Sequence, residues 1–166
     1  MNPPDSWEHL LQTLQVERTA YTSLSTLLSE EYHLLRKMDH QGLPNLTERK
    51  EALLVDLQSL EQGRNTLVNE LIGGHHHSNP SEWLKLLSQG PLPWGKRSAT
   101  ELGRVLIVAR EVAEQGRRNA GLVYRGLAMV REALRLIYSG GSREPVYGKS
   151  GHLNLPQVTS SLSIRG

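Results

Sequence analysis

Residues 5–39 are DSWEHLLQTLQVERTAYTSLSTLLSEEYHLLRKMD. Within this stretch, large apolar side chains recur every seven residues. One row consists of Trp7, Leu14, Tyr21, Leu28 and Leu35, and Leu10, Leu24 and Met38 supply much of a second row. This spacing keeps one stripe of an α-helix facing a partner helix. Because Asp5 followed by Glu8 resembles a capping box, the stretch predicts a long helix that begins near Asp5 and ends near Asp39.

A short connector and a second helix should follow. Residues 40–44, HQGLP, contain a glycine that tolerates a left-handed turn and a proline that disfavours helix before it. Asn45 with Glu48 resembles another capping box. Leu46, Leu53, Leu60 and Leu67 then form a heptad row supported by Leu57 and Leu71, which predicts a helix to about Ile72. A connector this short predicts that the two helices pair as an antiparallel hairpin.

The remaining helical pattern predicts a short helix at 81–87 and a long one from Ser98, which with Glu101 resembles a third capping box, to about Tyr138. The long helix carries an apolar stripe with spacings of three and four residues. Its members are Leu102, Leu106, Ala109, Ala113, Gly116, Ala120, Val123, Leu127, Val130, Leu134 and Ile137. The small side chains in its middle are typical either of close helix packing or of a locally soft helix, and the sequence leaves both open.

These patterns together predict an all-α protein with coiled-coil-like packing. We expect a helical domain at 1–138 and a disordered tail at 139–166, because the tail is rich in Gly, Ser and Pro and has no sustained apolar period. About one residue in six is leucine and there is no phenylalanine, which favours helix seams over sheets or aromatic pockets.

Composition narrows the class of protein. The chain has no cysteine, which excludes disulfides and thiolate chemistry, and no apolar run approaches the roughly 20 residues of a membrane span. We therefore expect a cytoplasmic protein without membrane insertion. Residues 1–95 hold 7 basic and 12 acidic side chains, whereas residues 96–166 hold 12 basic and 5 acidic ones. This asymmetry favours either pairing between helices or an acidic partner for the second part.

The sequence contains no pattern typical of an active site. His75, His76 and His77 are adjacent on a glycine-flanked segment, which is a poor geometry for converging on one metal ion. The arginines of the last helix are diluted by acidic residues and lack an aromatic platform, which argues against nucleic acid. We therefore expect no enzyme, no metal and no cofactor. A binding protein that uses its long apolar stripe is the favoured interpretation.

The end of the chain resembles the FlgN family of flagellar export chaperones. The resemblance rests on RRNAGLVYRGLAMVREALRLIY at 117–138, REPVYGKSG at 143–151 and the terminal SIRG. Glu144, Pro145, Tyr147 and Gly148 correspond to the family's Glu-Pro-x-x-Tyr-Gly stretch, with one residue fewer between proline and tyrosine.

The resemblance implies specific partners. It implies that the chain holds hook-associated proteins and delivers them to the flagellar type III export apparatus. The cargo-binding residues would be Leu122, Val123, Leu127, Val130, Leu134 and Ile137. Tyr147 and Gly148 would dock on the cytoplasmic domain of the export gate. An exposed apolar ridge also predicts a concentration-dependent homodimer. The alternative is a coiled-coil adaptor outside the flagellar system, since heptads and a tail would look the same there.

Overall fold

The computed structural model describes residues 3–73 and 80–139, which form four α-helices and no strand. The helices are α1 (Pro3–Lys37), α2 (Leu43–Leu71), α3 (Pro80–Ser88) and α4 (Trp94–Ser139). The predicted all-α class, the hairpin, the short helix and the long last helix are confirmed. Among the described residues, none of the helices combines the length and the hydropathy that a bilayer crossing requires.

The chain divides into two compact units, Met1–Val123 and Tyr124–Gly166. The first unit contains α1, α2, α3 and the part of α4 up to Val123. The described part of the second unit is the remainder of α4, residues 124–139. The predicted tail at 139–166 lies, apart from Ser139, outside the described residues.

Two predictions about the turn between α1 and α2 are wrong in detail. The left-handed position belongs to Met38, with φ of 54°, and not to Gly42, whose φ is −76°. Met38 leaves the apolar row because α1 has already ended at Lys37, and its side chain is exposed. The turn is closed by backbone hydrogen bonds to Leu34 and Leu35 and by Asp39, whose carboxylate accepts a hydrogen bond from the backbone N–H of Gln41 at 3.1 Å.

The three predicted capping boxes are also wrong, because each helix begins earlier than its polar pair. The helix α1 begins at Pro3 and places Asp5 inside the first turn. At the start of α2, Gly42 is the N-cap and makes no side-chain cap hydrogen bond, while Pro44 occupies the first turn, where its missing N–H costs nothing. The helix α4 begins at Trp94, so Ser98 and Glu101 lie within it and are buried.

The first unit has two apolar clusters. The larger cluster joins all four helices and contains Trp7, Leu10, Leu14, Leu67, Val68, Trp83, Leu87, Leu102 and Val105. The smaller cluster contains Leu24, Leu28, Leu57 and Val112. The helix α3 therefore packs against the hairpin, since Trp83 and Leu87 are core residues of the larger cluster.

Ion pairs alternate with leucines along the interface of α1 and α2. Glu17 pairs with Arg64 at 2.5 Å, and Glu31 pairs with Lys50. Every seventh residue along α1 is Leu10, Glu17, Leu24 and Glu31, and the antiparallel row on α2 is Leu71, Arg64, Leu57 and Lys50. Each carboxylate therefore meets a cation at the same height, and a slip by one heptad would place both acids against leucine. This pattern fixes the register of the hairpin.

The buried face of α4 differs from the predicted stripe. Its most buried positions in the first unit follow a strict heptad, Ser98, Val105, Val112 and Asn119, together with Glu101 and Leu102. Ala113 and Ala120 of the predicted stripe are exposed. Outside the helix's own backbone, no atom of the described residues would lie within 4 Å of a Cβ atom added at Gly116 or Gly121, so these glycines do not mark a close contact with another described helix.

Candidate functional site

The candidate site is the apolar face of α4 near its carboxyl end, hereafter the distal face. It comprises Leu122, Val123, Leu127, Val130, Leu134 and Ile137. Leu122 is half-buried, and the other five side chains are exposed. Leu122 and Val123 belong to the first unit, and Leu127, Val130, Leu134 and Ile137 belong to the second. The latter four recur every three or four positions along α4, so they share one side over roughly 15 Å. The structure therefore places these four sequence-predicted residues on one accessible side of the second unit.

Exposure of this kind is unusual for large aliphatic side chains arranged in a row. Val130 is 55% exposed, Leu134 is 45% exposed and Ile137 is 70% exposed. Scattered exposed leucines are common on soluble proteins, whereas a contiguous apolar patch marks a binding surface.

Further exposed apolar side chains flank the distal face. Met129, Leu136 and Tyr138 are exposed beside it, and Tyr124 is exposed near its start. The predicted stripe omitted them because they lie off its three-and-four spacing. Plotting residues 122–138 on a helical wheel reveals these additional side chains. On that wheel, the large apolar residues occupy more than half of the helix circumference.

Asn119 is the last buried residue of α4 and attaches it to α1. Its side-chain Nδ2 donates hydrogen bonds to the backbone oxygen of Leu28 at 2.7 Å and to Oε2 of Glu31 at 2.9 Å. The neighbouring Arg118 guanidinium stacks over the Tyr32 ring at 4.6 Å from its centroid. Asn119 therefore completes the polar layer of Glu31 and Lys50 and positions the start of the distal face. The signal in the sequence that could have indicated this role is the placement of a polar residue, Asn119, at a heptad position of α4.

A second polar contact joins α1 to the beginning of α4. Glu101 is buried and accepts hydrogen bonds from Arg18 at 2.5 Å and from Arg104 at 3.0 Å. Burial raises the pKa of the Glu101 carboxyl, but the two arginines outweigh burial and hold the pKa below its usual value. The contacts of Arg18 with Glu101 and of Asn119 with Glu31 show that α4 runs parallel to α1.

The predicted docking residues and the histidine run, at which no metal is expected, are not tested by the geometry. Tyr147, Gly148 and the three histidines His75, His76 and His77 lie outside the described residues. Within residues 3–73 and 80–139, no group of three or more His, Asp or Glu side chains is arranged to hold a metal ion.

Comparison with known proteins identifies the family. A family model described as FlgN protein matches residues 1–154, which include all four helices and the positions of Tyr147 and Gly148. No curated protein and no solved structure gives a significant match. The match extends the resemblance from the end of the chain to nearly its whole length. The chain therefore belongs to the FlgN family of flagellar export chaperones.

Proposed function

We propose that this chaperone binds hook-associated proteins through the distal face and delivers them, in the cytoplasm, to the flagellar export gate. The supporting observation is the row of exposed aliphatic side chains from Leu127 to Ile137 on one side of α4 in the second unit. An amphipathic helix of the cargo would cover this row and remove it from water. Family membership favours this function over a coiled-coil adaptor outside the flagellar system.

The first test is the double variant Val130→Asp/Leu134→Asp. Each side chain contributes about 1.5–3 kcal/mol when it is fully buried by cargo, so we expect the double variant to bind purified hook-associated proteins at least about 100-fold more weakly. Titration calorimetry or quantitative pull-down measures the change. Circular dichroism should show unchanged helicity, because neither residue belongs to an apolar cluster of the first unit.

The matched control is Val16→Asp/Leu54→Asp. Val16 is 54% exposed on α1 and Leu54 is 47% exposed on α2, so the control makes the same chemical change at the same exposure, away from the distal face. We expect the control to bind cargo as tightly as the wild type. Equal loss in both double variants would mean that nonspecific surface hydrophobicity, and not the distal face, holds the cargo.

Tyr147 and Gly148 form the proposed docking element for the cytoplasmic domain of the export gate. A tyrosine buries a large rigid ring at a modest entropic cost and retains a hydroxyl for hydrogen bonding. We expect Tyr147→Ala to weaken binding to the isolated gate domain about tenfold or more and to leave cargo binding unchanged. Leu153→Ala, which shortens another apolar residue of the same segment, is the control. A loss of cargo binding in Tyr147→Ala would contradict the separation of the two sites.

The distal face also predicts self-association of the free protein. Sedimentation velocity should show a homodimer whose population rises with concentration, because two exposed apolar rows can cover each other. Val130→Asp/Leu134→Asp should remain monomeric over the same range. A wild-type protein that is monomeric at every concentration would reject this prediction.

A further inference from the structure

The polar side of the distal segment carries an excess of positive charge. The described part of the second unit, residues 124–139, contains three arginines and a single acidic residue: Arg125, Arg131, Arg135 and Glu132. All four are exposed, and Glu132 forms an ion pair with Arg135 at 3.6 Å. Arg125 and Arg131 have no acidic partner among the described residues. The segment is therefore both amphipathic and cationic.

Two of the three arginines border the apolar side, one at each edge. On a helix with about 3.6 residues per turn, Arg131 lies along the edge next to Tyr138 and Leu127, and Arg125 lies along the other edge next to Leu136 and Met129. Arg135 and Glu132, which form an ion pair, occupy the polar side between these two edges. Long arginine side chains in such border positions cover apolar surface with their stems while the guanidinium groups reach a polar layer.

The apolar side is wider than one partner helix requires. A single packed helix covers a narrow seam of two heptad positions. Here the exposed apolar side chains extend from Leu136 and Met129 on one edge to Tyr138 on the other, over more than half of the helix circumference. Tyr124 and Tyr138 stand exposed near the two ends of the segment, as is typical of residues at a membrane interface.

We propose that residues 124–138 of the cargo-free chaperone lie flat on an anionic phospholipid surface, with Leu127, Val130, Leu134 and Ile137 toward the acyl chains and the bordering Arg125 and Arg131 toward the headgroups. A basic helix with a broad apolar side is the pattern of interfacial helices, and its charge is complementary to anionic lipid. No bilayer crossing is involved. The proposal goes beyond cargo binding but uses the same surface. Cargo and membrane therefore exclude each other. Once the chaperone has released its cargo, lipid covers the distal face.

Vesicle co-sedimentation of the full-length protein tests the proposal directly. The probes are vesicles of phosphatidylcholine alone and vesicles with about 30% phosphatidylglycerol, each at low and high salt. We expect at least tenfold stronger partitioning to the anionic vesicles, and weaker partitioning as salt rises. Equal partitioning to both vesicle types, or none to either, would overturn the proposal.

The triple variant Arg125→Gln/Arg131→Gln/Arg135→Gln isolates the role of the charges. It should lose the preference for anionic vesicles. The matched control, Arg49→Gln/Arg97→Gln/Arg110→Gln, removes the same net charge from exposed positions of the first unit and should keep that preference. If both triple variants lose binding equally, total charge is responsible and the proposed surface is wrong.

Cargo binding by the same variants separates this proposal from the proposed function. The arginine triple variant should bind hook-associated proteins within about threefold of the wild type, whereas Val130→Asp/Leu134→Asp should bind neither cargo nor anionic vesicles. Saturation with a hook-associated protein should release the wild type from vesicles. If the wild type binds anionic vesicles but not hook-associated proteins, the proposed function is rejected and the lipid proposal is not. A third outcome is that the arginine triple variant loses cargo binding while the wild type does not bind vesicles. That outcome would assign the arginines to cargo recognition and reject the lipid proposal.

Discussion

Arg64→Met is expected to lower the free energy of unfolding by about 3–5 kcal/mol, because it leaves the Glu17 carboxylate buried without its cation. Glu17 is fully buried between α1 and α2, and its Oε1 accepts a hydrogen bond from Arg64 at 2.5 Å within the ion pair. The other oxygen, Oε2, has no hydrogen-bond partner even in the wild type. Urea denaturation followed by circular dichroism measures the loss.

Two controls distinguish a buried ion pair from lost side-chain packing. In the double variant Glu17→Met/Arg64→Met, both charges are replaced by apolar groups, so we expect stability within about 1 kcal/mol of the wild type. Arg49→Met removes a largely exposed partner of Glu30 in the same hairpin and should cost less than about 1 kcal/mol. If Arg64→Met costs no more than Arg49→Met, the ion pair does not determine the stability of the hairpin.

The pH dependence of the Arg64→Met variant has a defined sign. Burial already raises the pKa of Glu17 above its usual value in the wild type, although Arg64 opposes this, and Glu61 raises it further. Removing Arg64 raises the folded-state pKa again, while the unfolded-state pKa is unchanged. Because the folded state then binds the proton more tightly, the variant should regain stability as the pH falls through that folded-state pKa. Arg64→Met should therefore approach the wild type in mildly acidic solution.

The helices and their order could be predicted from the chain because heptad spacing is a local property. The rows that begin at Trp7 and Leu46 identified α1, α2 and their antiparallel pairing before any contact was known. The helix ends were less accurate, because Pro3, Pro44 and the residues from Trp94 onward extend each helix before its expected polar cap. Polar pairs such as Ser98 and Glu101 are common inside helices, so spacing alone does not identify a cap.

The ion-pair layers could not be assigned from either helix alone. In the sequence, Glu17 and Glu31 are indistinguishable from solvent-exposed residues. Their partners Arg64 and Lys50 can be identified only when the register of the hairpin is known. The face of α4 that packs against the hairpin also could not be assigned from the sequence of α4 alone. Its apolar row offers two adjacent faces, and the polar anchors Glu101 and Asn119 select the face with Val105 and Val112.

The distal face was predictable as a set of residues but not as an exposed surface. The spacing of Val123, Leu127, Val130, Leu134 and Ile137 is the same as that of a buried helix. Burial in the first unit ends at Asn119, and beyond it the side chains of α4 are half-buried or exposed. Exposure depends on which helices are long enough to pack, and a one-dimensional pattern does not contain that information.

Asn119→Asp is expected to destabilise the attachment of α4 by about 2–4 kcal/mol at neutral pH, although it changes the side chain by only one polar group. The substitution replaces the Nδ2 donor, which bonds the Leu28 oxygen and Glu31, with a carboxylate oxygen. Two carboxylates and a carbonyl oxygen would then meet in a buried site. Asn45→Asp, at an exposed position of α2, is the chemical control and should change stability by less than about 0.5 kcal/mol.

Acid and a second substitution should both reverse the Asn119→Asp defect. The new carboxylate lies in a buried site without its own donor or cation, so the folded state favours its protonated form and stability is regained as the pH falls. Glu31→Gln in the Asn119→Asp background restores a donor opposite the new acid and should recover more than half of the loss. Hydrogen exchange should locate the opening in α4 near residues 112–123 before the hairpin opens. Uniform loss of protection in α1, α2 and α4 would mean instead that the Glu31 layer stabilises the whole bundle, and that Asn119 has no separate role in positioning the distal face.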